Sequence, residues 1–335
     1  MVYSKIFVCS PTIVTGGPEL LHQLVDELRR IRHEAYIVYY PFDQTHQCPV
    51  TYQCYDAPQS QLIDEPDVLV VIPETATWIG RQLKRARVAV WWLSVDNYLE
   101  RRGESWLRDY LIHMKGFVRP RNFSQRKMPI TSMKKYIHFC QSEYARVFLA
   151  CRGIYGVMLT DYLSDLYLNG TDAVSPEDKK NIICFNPKKG IKRTDTLRRT
   201  YPEFKFVPIE DLNRDGVYEL LCRSKIYMDF GNHPGKDRLP REAAMTGCCI
   251  ITGLRGSALN SIDVPLPHGF KLDDSGVGHI AAFGPLVHTV FANFTVVYRE
   301  LAEYREKIAQ EKVLFQKEVR DFFGLVEEVE VSGDE

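Results

Sequence analysis

The chain of 335 residues has no net charge, because 43 lysines and arginines balance 43 aspartates and glutamates. No global field therefore attracts it to nucleic acid, and a nucleic-acid-binding role is not expected. No apolar run approaches the roughly 20 residues that span a bilayer, and no signal-peptide segment precedes the first predicted strand. These absences predict a cytoplasmic protein, with peripheral contact at the inner face of a membrane left open.

The nine cysteines lack a pairing pattern, since their number is odd and no C-x-x-C pair occurs. Several stand inside apolar runs, where a free thiol packs as a small hydrophobic group. This pattern predicts neither a disulfide framework nor a zinc site, and it favours a reducing compartment. A G-x-G-x-x-G sequence is also missing, which weighs against a nicotinamide-dependent dehydrogenase.

Short runs rich in valine, isoleucine and aromatic residues alternate with helical patterns, as is typical of parallel α/β architecture. The clearest helix is predicted over residues 18–32, where leucines, Val25 and Ile31 recur at helical spacing. The runs predict nine strands. They lie at residues 5–9, 35–40, 68–72, 88–94, 136–140, 181–185, 204–208, 225–230 and 248–252.

Both halves of the chain repeat this alternation, and a polar, turn-rich segment at 168–180 separates them. The predicted fold class is α/β, with two Rossmann-like domains that face each other across a ligand-binding cleft. We place these domains at 1–165 and 166–295. A long helix is predicted around residues 296–323, within a unit at 296–325, and the acidic residues 326–335 form a tail that is expected to fray.

One segment after the first strand of each half has the composition of an anion site. Residues Thr15-Gly16-Gly17-Pro18 open the first helix, where glycines let a ligand approach and the helix N-terminus favours an anion. Segment 185–194 combines a glycine with four cations, which together suit a diphosphate. These cations are Lys188, Lys189, Lys192 and Arg193. An ordinary turn and a solvated basic surface are the alternatives.

The most specific signal is segment 228–252. A strand runs into a loop rich in glycine and proline, and a short helix opens near Pro240 before another buried strand. Glu242 stands in the first turn of that helix, from which a carboxylate can bind the two hydroxyls of a ribose. Small residues follow it and allow close packing.

This segment resembles the donor-site motif of GT-B-fold glycosyltransferases, in particular the family 4-like group. The resemblance implies that Glu242 binds the ribose of a nucleotide-activated sugar, with a UDP- or GDP-sugar as the leading donor. Family members often carry another glutamate eight positions earlier, at the donor sugar, where this chain has Pro234. His233, Gly235 and Lys236 are then the candidates for sugar contacts.

The resemblance extends over nearly the whole chain. It implies that Gly16 and Gly17 form the glycine loop of the first domain. It also implies that Lys188 or Lys189, together with Lys192, holds the donor phosphates. The C-terminal helix is expected to cross back onto the first domain, as in that fold.

Two carboxylates follow strands of the first domain and are expected to point into the cleft. Glu74 follows the strand at 68–72, and Asp96 follows the strand at 88–94. An inverting transferase needs a general base, whereas a retaining one relies on the donor phosphate and electrostatics. Asp96 is favoured slightly, because the family often places a cleft-facing histidine near it. Carboxylates that cap backbone N–H groups are the alternative. No D-x-D sequence occurs, so a metal-independent enzyme is expected.

Residues 113–135 contain seven lysines or arginines and no acid, with apolar residues between them. Such a stretch can dock on anionic lipid head groups or hold an anionic acceptor, and a solvated loop is the alternative. Peripheral membrane contact through 113–135 is therefore one of these options, and a loop that binds membrane would make a lipid-linked acceptor the natural substrate.

Together these features predict a glycosyltransferase that acts on a saccharide, lipid-linked or protein acceptor, for example in polysaccharide biosynthesis. A sugar-nucleotide epimerase of the same fold is one alternative. A catalytically degenerate nucleotide-binding or assembly module is another, and Pro234 is its main support.

Overall fold

The structure is a computed structural model that describes residues 3–100, 126–169 and 175–324. The first domain contains a six-stranded parallel sheet in the order β2-β1-β3-β4-β5-β6. Hydrophobic runs buried on both faces are typical of such sheets, and the predicted strands have this pattern. The strands are β1 (Lys5–Pro11), β2 (Ala35–Tyr40), β3 (Val68–Pro73), β4 (Arg87–Trp92), β5 (Ile137–Cys140) and β6 (Val157–Met158).

The second domain contains a four-stranded parallel sheet in the order β10-β9-β7-β8. Its strands are β7 (Lys180–Phe185), β8 (Lys205–Pro208), β9 (Ser224–Asp229) and β10 (Cys249–Thr252). In each sheet the first strand lies between the second and the third. The carboxyl ends of β1 and β3, and of β7 and β9, are therefore topological switch points, where α/β folds bind ligands.

Helices cover the faces of both sheets. They are α1 (Gly16–Arg30), α2 (Val95–Glu100), α3 (Ile130–Met133), α4 (Glu143–Ala150), α5 (Asp165–Leu168), α6 (Ile191–Thr200), α7 (Arg214–Arg223), α8 (Arg238–Met245), α9 (Gly278–Ala292), α10 (Phe294–Glu300) and α11 (Ala302–Phe323). Among the described residues, no single helix is long and apolar enough to cross a bilayer. Helices α9 and α10 meet that requirement only as a pair, which is bent by 104°.

Helix α11 joins the two domains. Its first half buries Tyr304 and Ile308 in the core of the second domain, and its second half buries Phe315, Val319 and Phe323 in the core of the first. Long apolar side chains at helical spacing thus serve two cores in turn. The expected crossing of the C-terminal helix back to the first domain is confirmed.

The predicted α/β fold class is confirmed, and each of the nine predicted strands is present to within two residues. Strand β6 was not predicted, because its two residues are too short for a periodic signal. The single helix predicted over 296–323 is wrong, since the helix breaks at Leu301, which is buried in the second domain. Residues 113–125 of the basic stretch and the tail at 326–335 lie outside the described residues.

Candidate active site

A cleft of about 520 Å³ lies between the two domains, at the carboxyl ends of both sheets. The loops after β1, β3, β4 and β5 form one wall, and the loops after β7 and β9 form the other. Both switch points therefore open into the same cavity. The lining residues that matter most are Gly16, Gly17, Glu74, Leu93, Lys189 and Arg238.

The glycine loop is held in place by Tyr52. The Tyr52 hydroxyl donates to the carbonyl of Thr15 at 2.8 Å and accepts from its N–H at 2.9 Å. A Cβ atom on Gly16 would lie 3.0 Å from Cδ of Arg238, and one on Gly17 would lie 3.7 Å from Leu93. Gly16 thus makes room for an arginine of the second domain, in addition to lining the cleft as expected.

Glu74 is a buried carboxyl group on the cleft wall. It follows β3 directly, is 2% exposed and accepts the N–H of Leu93 at 3.0 Å. Burial raises the pKa of Glu74 from 4.5 to about 7, because the charged form loses its hydration. A group with a pKa near neutrality can both accept and release a proton under physiological conditions.

Asp96 takes a different position from the one expected. It belongs to α2, and its Oδ1 accepts the Tyr144 hydroxyl at 2.7 Å. The cleft is lined by its neighbours Ser94 and Asn97 and not by Asp96 itself. Of the two predicted catalytic carboxylates, only Glu74 therefore lies on the cleft wall, because the first turn of α2 directs Asp96 towards α4.

Lys189 is the cation of segment 185–194 that lines the cleft. Its Nζ lies 2.5 Å from Oδ2 of Asp237. Burial alone would lower the pKa of Lys189, but Asp237 and Asp229 raise it overall, so the side chain stays charged. Gly190 follows at φ 58°, and a Cβ there would lie 2.6 Å from the Phe230 carbonyl group, so only glycine fits this turn.

The other three predicted phosphate-binding cations do not line the cleft. Lys188 and Lys192 are exposed to solvent. Arg193 pairs with the buried Asp274, since its Nε lies 2.9 Å from the Asp274 Oδ2. Arg255 approaches the same oxygen at 3.2 Å. The basic turn is therefore divided between one cleft residue, two solvated lysines and one structural ion pair.

His233 packs inside the β9–α8 loop (residues 230–237) and contacts residues at both of its ends. The ring is 1% exposed, with Nδ1 3.4 Å from Oδ2 of Asp237 and Nε2 3.8 Å from Oδ1 of Asp229. The ring lies between two carboxylates and away from the cleft, which corrects the expectation that it contacts the donor.

Within the described ranges, one group of acids and histidine is close enough together to hold a metal ion. It consists of Asp229, His233 and Asp237. Oxygens of both carboxylates already have hydrogen-bond partners, however. The Lys189 ammonium binds Asp237, while the Tyr227 hydroxyl and the Gly231 N–H bind Asp229. The Lys189 ammonium therefore offsets part of the negative charge of these two carboxylates.

Pro234 and Gly235 connect the loop to the first domain. The N–H of Val95 donates to the Pro234 carbonyl at 2.7 Å. A Cβ atom on Gly235 would lie 2.1 Å from the carbonyl oxygen of Leu93, so no other residue fits there. The position at which the family often has a sugar-binding glutamate is therefore an interdomain contact in this chain.

Glu242 faces Arg238 one turn earlier in α8, with its Oε1 3.2 Å from Nη2. The Nη1 of Arg238 also binds Glu19 of α1, so a single guanidinium connects the domains. Burial raises the pKa of Glu242, and Arg238 partly opposes this rise. Arg238 itself lines the cleft, and its Nε is buried without a hydrogen-bond partner.

Lys236 lines the cleft, but its ammonium points away from it. The Nζ lies 2.9 Å from Oε1 of Glu311 and 3.6 Å from Oδ1 of Asp161, behind the loop. The expected sugar contact through this amine does not match the structure, because two buried acids hold the group. Those acids come from segments far apart in the sequence.

Sequence reasoning missed Arg238, Glu19 and Asp237. The spacing of Arg238 and Glu242 at i,i+4 is a visible signal for an ion pair on a helix. The contact between Glu19 and Arg238 joins residues 219 positions apart, for which a single sequence contains no signal.

No protein-family model matches the chain, and no curated protein matches it in sequence. Solved structures share its fold. Over 96% of its length the chain is similar to sucrose-phosphate synthase from Thermosynechococcus elongatus, with a TM-score of 0.63, 10% identity and 98% of that chain covered.

Two further structures give similar values. HepE of Anabaena in complex with UDP has a TM-score of 0.61 at 9% identity, with 96% of this chain and 100% of HepE covered. The E. coli trehalose-6-phosphate protein bound with UDP-2-fluoro glucose has a TM-score of 0.59 at 10% identity, with 97% and 100% covered. The chain therefore has the two-domain GT-B fold of these proteins, and at such identities the similarity shows the fold alone.

Proposed function

We propose that this chain is a glycosyltransferase that moves a sugar from a nucleotide-activated donor to a saccharide, lipid-linked or protein acceptor. One observation carries the proposal: the loops of both switch points converge on one interdomain cleft. Proteins with the same fold hold UDP or UDP-glucose, which favours a UDP-sugar as the donor and leaves a GDP-sugar second. The transfer is proposed to need no metal.

The second domain provides the donor side of the proposed site. Lys189 and the first residue of α8, Arg238, both line the cleft. A helix N-terminus has unpaired N–H groups and a partial positive charge, which favour a diphosphate, and a guanidinium can bind two phosphate oxygens at once. Glu242, one turn further along α8, is the proposed ligand of the ribose hydroxyls.

The first domain provides the proposed chemistry through Glu74. In an inverting transfer its carboxylate would take the proton of the attacking acceptor hydroxyl, and in a retaining transfer its protonated form could donate a hydrogen bond. The contacts of Pro234 and Gly235 with the opposite wall hold the domains together. Such closure excludes water and would protect the donor from hydrolysis.

The acceptor class and the cellular location are part of the same proposal. Residues 113–135 are proposed to contact the inner face of a membrane, which would place a cytoplasmic enzyme beside a lipid-linked acceptor. The described end of this stretch includes the exposed Lys134 and Lys135. Binding to vesicles with anionic lipids, compared with neutral vesicles, would test this contact.

A thermal-shift screen against UDP, GDP, ADP, TDP, CMP and NAD tests the donor site. We expect one nucleoside diphosphate to raise the melting temperature selectively, with the shift lost in Glu242→Ala. The matched control is Glu203→Ala, an exposed glutamate of the same domain, which should keep the shift. The absence of any shift in the parent protein would contradict the proposal.

A binding module without catalytic turnover is the second candidate. It is favoured by Pro234, which serves an interdomain contact where a sugar-binding carboxylate is usual in the family. Release of the nucleoside diphosphate from a labelled nucleotide-sugar, with and without saccharide acceptors, separates the two candidates. An epimerase would convert the nucleotide-sugar without any acceptor.

A further inference from the structure

Four buried charged side chains meet behind the β9–α8 loop. We call these side chains the interdomain charge cluster. Its members are Asp161, Lys236, Arg241 and Glu311. Arg241 binds Asp161 through Nη2 and Glu311 through Nη1, the latter at 2.5 Å. The Lys236 ammonium completes the ring of contacts, at 2.9 Å from Glu311 and 3.6 Å from Asp161. The cluster is nearly closed to solvent, since Asp161 and Arg241 are 0% and 1% exposed.

Each segment that connects the two domains contributes to this cluster. Asp161 lies between β6 and α5, where the chain leaves the first domain. Glu311 lies in the middle of α11, where the chain returns to it. Lys236 belongs to the β9–α8 loop, and Arg241 to α8 itself. The cluster therefore ties the loop that borders the cleft to both crossing segments.

The backbone of Lys236 is also held at both of its polar groups. Its N–H donates to Oε1 of Gln141 at 3.0 Å, and its carbonyl accepts from Nη2 of Arg241 at 3.1 Å. The Gln141 amide in turn donates to Asp161 at 3.1 Å. A change in the position of the loop would separate several of these partners at once.

The charges disfavour other positions of the loop. Two cations and two carboxylates cancel only when all four side chains are together, and a buried charge without its partner is strongly disfavoured. Burial alone would lower the pKa of Arg241, but Asp161 and Glu311 raise it, so the arginine stays charged. Displacing the loop would leave at least one ion without compensation in a dry environment.

We propose that Asp161 and Glu311 are positioning residues, which fix the β9–α8 loop and the N-terminus of α8 against the first domain. Neither side chain is part of the proposed donor contacts, so both act through Lys236 and Arg241. The consequence for donor binding rests on the proposed function, whereas the position of the loop does not.

Hydrogen exchange of the free protein tests the position of the loop directly. In Asp161→Asn and Glu311→Gln, we expect the amides of residues 230–237 to exchange about tenfold faster or more, because local opening becomes easier. The amides of β1 and β3 should keep the parent rates. The matched control is Asp165→Asn, which removes an exposed pair with Lys312 between the same crossing segment and α11. This control should leave the loop unchanged.

A charge-balanced variant keeps the test valid if the single variants unfold. The double change Arg241→Met with Glu311→Met removes one cation and one anion and leaves Lys236 with Asp161. We expect it to fold, to exchange faster at 230–237, and to bind UDP about tenfold more weakly, because the loop is no longer held in position. Parent-like exchange at the loop in a folded variant would overturn the inference. Failure of the parent to bind any nucleotide would instead contradict the proposed function, and the exchange result would stand.

Discussion

Helix α8 carries an arginine paired with carboxylates on each of two sides, but only one of these sides faces the cleft. Arg238 lines the cleft, and Arg238 and its partner Glu242 keep 15% and 13% of their side-chain surface exposed, whereas Arg241 and Asp161 behind the loop keep 1% and 0%. A cation with access to water can exchange a carboxylate partner for a ligand phosphate. A cation enclosed by two acids has no such route. Burial, more than residue type, thus separates the proposed binding residues from those that hold the fold.

The largest effect is expected on catalytic activity, from a change at the cleft. Glu74→Gln is expected to lower kcat about 10²- to 10⁴-fold, because a positioned acid or base contributes that much to proton transfer. Turnover of the donor identified by the thermal-shift screen measures the effect. The control is Glu65→Gln, at an exposed glutamate of the same domain. Turnover within threefold of the parent would remove Glu74 from the proposed mechanism.

A substitution on the buried side of α8 should change the free energy of unfolding. Arg241→Met alone leaves Asp161 and Glu311 with one lysine between them, so the free energy of unfolding should fall by about 3–5 kcal/mol. Denaturant unfolding followed by fluorescence measures this change. Lys317→Ala removes an exposed pair with Asp321, and its effect should stay below about 1 kcal/mol. Equal losses of unfolding free energy in both variants would contradict the distinction between buried and exposed pairs.

Glu74 predicts that the free energy of unfolding falls as the pH rises. Its pKa is raised from 4.5 to about 7 in the folded state, so the folded protein holds this proton more tightly than the unfolded chain. The stabilising effect is fully present below pH 4.5 and is lost as the pH rises towards and beyond 7. A shift of this size corresponds to about 3 kcal/mol.

Comparison with Glu74→Gln isolates that effect. The variant should gain about 3 kcal/mol in unfolding free energy relative to the parent between pH 4 and pH 8. Urea unfolding at several pH values supplies the curve for each protein. A constant difference between the two proteins across this range would show that Glu74 has an ordinary pKa.

Glu242 is the partner of Arg238 on α8 and the proposed ribose ligand, so Glu242→Ala should weaken nucleotide binding about 10- to 100-fold, the loss expected for hydrogen bonds to a charged group. Isothermal calorimetry with the selected nucleotide measures it. Because Glu242 is partly exposed, its removal should change the unfolding free energy far less than Arg241→Met does. Unchanged affinity would move the ribose away from this residue.

The smallest effects are expected for the solvated lysines of the basic turn. Lys188→Ala and Lys192→Ala should each weaken nucleotide binding about two- to fivefold at low salt, and less at high salt, because exposed charges are screened. Lys189→Ala should have a larger effect that depends less on salt, since Lys189 lines the cleft. Equal salt dependence for all three lysines would contradict their different placement.

The sequence by itself determined the α/β class, nine strands, the first helix and the regions that border the cleft. Hydrophobic period, turn residues and the order of strands and helices are local properties, so they can be recognised without knowledge of distant contacts. Glu74, Lys189 and the glycine loop were placed at the cleft for the same reason, because each follows a strand of a parallel sheet.

Only the tertiary structure decided which charged residues face the cleft. Arg241 meets Asp161 and Glu311, which are 80 and 70 residues away, and Lys236 joins them behind the loop. The same folding turned His233 and Asp96 away from the cleft and brought Arg238 into it. Burial and ion pairing depend on what the rest of the chain places beside a residue, and one-dimensional spacing contains no record of that neighbourhood.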